Sequence, residues 1–282
     1  MLLSGLCFVC VTSVVRFLGT DLPAAQSAFI RFAWGAVFLL PSLWLLLRDG
    51  VPVATLRLHL GRGVVHVGAV VCWFYAMARI PMAEVTAIGY LNPVLLTLGT
   101  ALFFGERLTL RRGVAIGVAL LGAMIVLRPG LREVTAGHLS QVAAAVFFAG
   151  SYLFAKRLST LASAAQIVAM LSLIVTVLLA PFAAAVWVPV SAAQVGWLAL
   201  VAAFATGGHY AMSRAFAAAP IAVSQPVVFL QLVWAAALGF LLFGEAVDPM
   251  VILGGAVIVG AVSYNTIAEA RRRPPQVVPE PL

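Results

Sequence analysis

The feature that most constrains this chain is the length of its uninterrupted apolar runs. Residues 64–77, VVHVGAVVCWFYAM, carry no formal charge, and similar runs recur from end to end. A half-buried strand alternates apolar and polar side chains at period two, as does a strand of a membrane barrel. Neither pattern is present. Runs of this kind suit helices that cross a bilayer, where every backbone N–H and C=O must bond within its own segment. Composition excludes the soluble alternative: of 282 residues, 63% are apolar and 9% charged, against about 25% charged in soluble domains. A span needs ~20 residues to cross ~30 Å of hydrocarbon. Ten spans therefore consume ~200 residues and leave no room for a separate catalytic domain.

Ten helices are predicted, over about 2–19, 23–47, 63–79, 82–103, 111–127, 138–156, 162–186, 194–214, 219–242 and 249–268. Breaker residues punctuate them at Asp21-Leu22-Pro23, Arg79-Ile80-Pro81 and Arg128-Pro129-Gly130,. Cys7, Cys10 and Cys72 all fall in apolar runs, so they read as small apolar side chains, not as a redox pair,. The last stretch, RRRPPQVVPEPL, is Pro-rich and charged and is predicted to be disordered,.

An internal repeat organises the rest. Phe104-Gly105-Glu106 recurs as Phe243-Gly244-Glu245, and the same offset of 139 lays Pro81 on Pro220, Ala76 on Ala215, Phe8 on Phe147 and Gly122 on Ala261. The chain thus reads as two five-helix units, residues 1–132 and 133–270, followed by a tail at 271–282. Five is odd, so the second unit enters the membrane from the opposite side and the two are inverted. The fold class expected is an all-α integral membrane protein of ten transmembrane helices in two inverted five-helix repeats, an architecture that places substrate near the midplane between repeats.

Loop charges orient it. With the amino terminus in the cytoplasm, Arg48, Arg57, Arg62, Arg107, Arg111, Arg112, Lys156, Arg157, Arg214, Arg271, Arg272 and Arg273 fall inside, while Arg16, Arg79, Arg128 and Arg132 fall outside. By the positive-inside rule both termini are cytoplasmic, in a multi-pass protein of the inner membrane. The net charge of +8 then follows from topology, and the expected partner is the lipid bilayer, with no nucleic acid.

Polar side chains at membrane depth are the candidate site. In the fourth predicted helix Thr86, Tyr90, Pro93 and Thr97 share one stripe,, with Pro93 placed to kink it. His66, Trp73 and Met77 share a stripe of the third. His209 and Tyr210 cluster in the eighth, Tyr152 lies in the sixth, and Gln231 and Trp234 lie in the ninth. Aromatic rings beside amide and hydroxyl groups suit a ligand with an apolar body and a polar end; the alternative for each stripe is helix packing. Arg31 and Glu84 are read as a charge pair, with carboxylate recognition by Arg31 as the alternative. With Glu84 so committed, and no acid within one turn of either histidine, a proton gradient is expected not to be required. Glycine-rich stretches at Gly113, Gly117 and Gly122 and at Gly254, Gly255 and Gly260 are expected to pack helix on helix.

The loop and helix FGERLTLRRGVAIGVALLGAMIVL, with Leu91-Asn92-Pro93-Val94, Phe29-Ile30-Arg31-Phe32 and the second Phe243-Gly244-Glu245, resembles the drug/metabolite transporter superfamily and within it the EamA-type exporters. The resemblance covers nearly the whole chain. It implies secondary transport, with export of aromatic or neutral amino acids or similar small metabolites by alternating access. It also implies no cofactor and no metal, and a monomer, with a homodimer as the alternative. An enzyme is not expected, since no HExxH occurs and Asp49 and Asp248 sit in loops. A sugar-phosphate or nucleotide-sugar carrier, or a proton-coupled drug exporter, is the main alternative. A phosphate ligand calls for cavity Lys or Arg, whereas this reading finds one buried arginine.

Overall fold

A computed structural model describes residues 2–104, 109–131, 133–218 and 221–270; for 47, 49, 100, 104, 164, 210, 212–218, 221–229, 269 and 270 it describes the backbone alone. The predicted tail at 271–282 lies outside the described residues. The described chain is helical and contains no strand. Six helices are long and apolar enough to cross a membrane, or seven if one bent pair counts as a single span.

Proline sets the breaks. The predicted helix over 23–47 is two helices, α1 being Leu2–Leu18, α2 Ala24–Phe38 and α3 Leu40–Asp49. They meet at Leu39 at an angle of 70°, because Pro41 cannot donate to a carbonyl one turn back. Next comes α4, Val53–Met77, which begins ten residues before the predicted start. Arg57 and Arg62 suggested a loop, but Arg62 turns inward and is buried, as is His59. The following pair, α5 (Met82–Gly89) and α6 (Leu91–Phe104), breaks at Tyr90, one turn ahead of Pro93,. The rest are α7 (Leu110–Leu127), α8 (Ala136–Leu158), α9 (Ala164–Ala185), α10 (Ala192–Ala218), α11 (Ile221–Phe243) and α12 (Pro249–Ala270). Polar caps start several of them: Thr109 Oγ1 accepts from Arg112 N, and Ser163 and Gln166 cap α9 reciprocally,.

In the bundle α4 lies along α8, α1 along α10, α2 along α9 and α7 along α12; α6 rests on α8, α11 on α1, α10 on α2 and α4 on α9. The α7–α12 seam is the closest. A Cβ on Gly122 would stand 2.8 Å from the Gly254 carbonyl, and one on Gly254 would stand 2.6 Å from the Gly122 carbonyl. By contrast Gly113, Gly117 and Gly260 face open space. The glycine-rich packing expected from sequence therefore narrows to this one crossing, with Gly255 turned instead onto Leu232 of α11.

One end of the bundle is tied by polar contacts. Arg16, at the end of α1, donates to the Ala78 carbonyl at 3.0 Å and pairs with Glu245 beyond α11 at 2.8 Å. Glu245 also accepts from Met82 N–H at 2.8 Å. Arg128 pairs with Asp248, Glu84 with His138 at 2.6 Å, and Gln26 exchanges two hydrogen bonds with the backbone of Val188, at 2.9 and 3.0 Å. The start of α7 lies ~27 Å away, at the far end of an eighteen-residue helix,.

Candidate functional site

The site grows from the crossing of α4 and α8, held close by glycines on both. A Cβ on Gly68 would stand 3.2 Å from the Phe147 ring, and one on Gly150 would stand 3.1 Å from Val65. On the inner face of α4, Arg62, His66, Trp73 and Met77 follow one another at helical spacing,. His66 Nδ1 is 3.0 Å from Ser151 Oγ of α8. Phe148, one turn before Tyr152 on α8, is the hub of an aromatic cluster. Its ring meets His66 edge-on at 5.3 Å and Trp73 at 5.8 Å, and stacks on Tyr152 at 6.2 Å. From α2, Phe32 closes the other side of His66 at 5.8 Å and carries the Arg31 guanidinium 3.9 Å above its own ring, a cation–π contact. Across the bundle, His209 of α10 packs edge-on against Phe8 of α1 at 5.1 Å. Arg31 thus reaches the His66 cluster through Phe32, and Arg62 lies one turn before His66 on α4.

Several candidates lie elsewhere. Met77 is wholly buried in the main apolar core, where it fills space. Thr86 donates to the Met82 carbonyl within its own helix at 3.0 Å. Tyr90 is buried at the α5–α6 break and bonds the backbone of Leu232 on α11. Pro93 lines a cleft between α6, α7 and α12, together with Thr97, Arg112, Asn265 and Thr266. Gln231 and Trp234 flank Gly5, where a Cβ would stand 3.4 Å from the Trp234 ring, so they belong to the α1–α11 seam. The Tyr210 side chain lies outside the described residues.

The expected Arg31–Glu84 pair is corrected. Glu84, in the first turn of α5, faces α8, and its carboxylate lies against His138, whose Nδ1 accepts from Thr135 N–H at 3.0 Å. Arg31 lies instead against Phe32 of its own helix. Sequence spacing fixes contacts within a helix and is silent on which helix lies opposite, and this pair needed the second kind of information. The expectation that no proton gradient is required consequently loses one of its two supports. Arg62, assigned to a loop from sequence, is buried on the same face as His66; the signal was its position four residues before His66, on the same stripe. At the tied end, burial alone would raise the Asp248 carboxyl, but the Met250 and Val251 N–H groups and the Arg128 guanidinium hold it below the ordinary carboxylate range.

A bundle of long apolar helices packed around an aromatic and cationic centre defines a polytopic membrane protein. The EamA-like transporter family matches residues 1–128 and again 135–267, and the chain belongs to that family, within the drug/metabolite transporters. Curated relatives align along nearly its whole length. A riboflavin transporter of Vibrio cholerae is 30% identical, over 96% of this chain and 93% of that one. The pseudopaline exporter of Pseudomonas aeruginosa is 28% identical, over 92% of each. An S-adenosylmethionine uptake transporter of Rickettsia prowazekii is 22% identical, over 95% and 94%. A crystal structure at 20% identity superposes with a TM-score of 0.55, covering 96% of this chain and 99% of the other, which is a likeness of fold. The chain is thus a small-molecule transporter of a multi-pass membrane family.

Proposed function

We propose that this protein moves an aromatic, amino-acid-like or similarly sized metabolite across the inner membrane by alternating access between two inverted five-helix halves, residues 1–132 and 133–270. Counting α2–α3 and α5–α6 as single passes gives ten spans with both termini on one side. The packing supports the inverted pairing. Under the 139-residue offset, α4 on α8 becomes α10 on α1, α6 on α8 becomes α11 on α1, and α10 on α2 becomes α4 on α9, all of which occur. The α2–α9 and α7–α12 contacts map onto themselves, as expected on a pseudo-two-fold axis. Positive-inside charge supports cytoplasmic termini, even with Arg62 moved from loop to helix. The tied end is then the outer face.

The observation that carries the substrate reading is the aromatic cluster of Trp73, Phe148 and Tyr152 beside the hydrogen-bonding His66 and Ser151. Rings in offset or edge contact recognise a planar body. Relatives named for riboflavin and S-adenosylmethionine agree with a ligand of that shape. Direction is assigned as export, from the resemblance to exporters. The test is counterflow in proteoliposomes holding only this protein, with labelled riboflavin, S-adenosylmethionine, L-tryptophan and L-phenylalanine. Saturable exchange of at least one, lost in Trp73→Ala, supports the reading. No exchange of any, with the protein correctly folded, refutes it.

A further inference from the structure

Transport of a planar metabolite leaves one grouping without a role: two arginines at membrane depth with no ion-pair partner among the described residues. Arg62 is 7% exposed. Its Nη1 donates to the Ile167 carbonyl of α9 at 3.3 Å, while its buried Nε meets no acceptor among the described residues. Arg31 rests on the Phe32 ring. Three described carboxylates at the ends of the spans are committed elsewhere, Glu84 to His138, Glu245 to Arg16 and Asp248 to Arg128. A guanidinium has five N–H donors in a planar fork and stays charged. Holding it at depth costs several kcal/mol unless something offsets the charge. Arg31 sits on Phe32, whose ring meets His66, and Arg62 lies one turn before His66 on α4; two such charges around one imidazole compound that cost, and a structural role would need only one neutral packing residue at each position.

We infer that Arg31 and Arg62 form a subsite for an anionic group, a carboxylate or a phosphate, on the transported molecule, whose aromatic body lies against Trp73, Phe148 and Tyr152. This rests on the transport reading and reverses one of its expectations, that a single buried arginine argues against anionic cargo. The chemistry is a fork-to-oxyanion contact one to three helical turns along α4 from the aromatic cluster. The two arginines come from different helices, α2 and α4, so an anion bridging them would bind only where these helices hold their present spacing.

The test uses the full-length protein in lipid nanodiscs and three matched probes: 1-naphthoate, 1-naphthyl phosphate and the uncharged 1-naphthamide. Binding is read as a rise in melting temperature and as quenching of tryptophan fluorescence. At least one of the two anions is expected to bind about tenfold or more tightly than the amide, the scale of a charged hydrogen bond. Which anion it is separates carboxylate from phosphate. Arg62→Gln should remove that preference, and Arg62→Lys should keep part of it. Should Arg62→Gln fail to fold, Arg31→Gln, at a less buried position, is read on the same titration. Equal binding of amide and anions, no binding of either anion, or an intact preference in a folded Gln variant overturns the subsite. Anion-selective binding without counterflow of any substrate would refute the transport reading alone, whereas counterflow with unselective binding would refute the subsite alone.

Discussion

Replacing Gly122 by alanine should destabilise the protein, although alanine is the better helix former. The ideal Cβ would sit 2.7 Å from Ile258 Cγ1, 2.8 Å from the Gly254 carbonyl oxygen and 3.1 Å from the Ile258 backbone nitrogen. Two of these three are backbone atoms, so no rotamer change relieves the contact and α7 must move away from α12. Overpacking of this kind costs about 1–3 kcal/mol, and separating the helices also loosens Val126 and Ile258, both fully buried. At roughly 2–4 °C per kcal/mol for a chain of this size, melting should fall by several degrees. Gly117→Ala is the internal control. It lies on the same helix, has nothing within 4 Å of its Cβ, and should gain up to about 1 kcal/mol of helix propensity. The assay is thermal unfolding of the two purified variants beside the parent, followed by size-exclusion fluorescence. If Gly122→Ala melts at or above the parent, or if the two substitutions act alike, the α7–α12 contact does not hold this seam.

Other expectations follow from the site and the tied end. Trp73→Ala removes a ring contact with Phe148 worth about 0.5–1.5 kcal/mol beyond its buried area, so substrate affinity in counterflow should fall several-fold while expression stays near normal. Glu245→Gln breaks the pair with Arg16 and weakens the bond from Met82 N–H; a loss of about 1–3 kcal/mol should appear as faster proteolysis or labelling of that end. Because the folded Asp248 carboxyl lies below its ordinary range, the pair with Arg128 stabilises the fold above about pH 4, the unfolded value. That contribution is lost as pH falls through the folded value, so the melting difference between the parent and Asp248→Asn should be present at neutral pH and vanish in acid.

The apolar runs made the helices legible, since a bilayer leaves a long uncharged segment one solution. Breaks were less so. Pro41 was visible, yet a proline inside a spanning helix can be tolerated, as Pro181 is within α9, and only packing decides which outcome holds. The start of α4 was misplaced because Arg57 and Arg62 read as loop residues; burial of a polar face inside a bundle looks like solvent exposure in one dimension. Of the candidate site, His66, Trp73 and Tyr152 came together because stripes on two helices happened to meet, and Arg31 joined them through Phe32. Gln231 and Trp234 did not, since helical spacing names a face without naming its neighbour. His138 is not legible as a partner for Glu84, because the two are 54 residues apart in sequence.

The claim that matters most is that the aromatic and cationic centre lies between two halves and is reached from one side at a time, with the polar contacts of Arg16, Glu84 and Glu245 closing the outer end. Cysteine accessibility tests it directly. In a background with Cys7, Cys10 and Cys72 changed to alanine, Tyr152→Cys reports the centre and Val247→Cys reports the outer loop. Right-side-out vesicles are treated with a membrane-impermeant maleimide. Val247→Cys should label from outside at once, and Tyr152→Cys slowly, with a several-fold acceleration when Glu84→Gln and Glu245→Gln are added. Labelling of Tyr152→Cys at one rate with or without those changes, or protection of Val247→Cys from the outer side, would contradict the account.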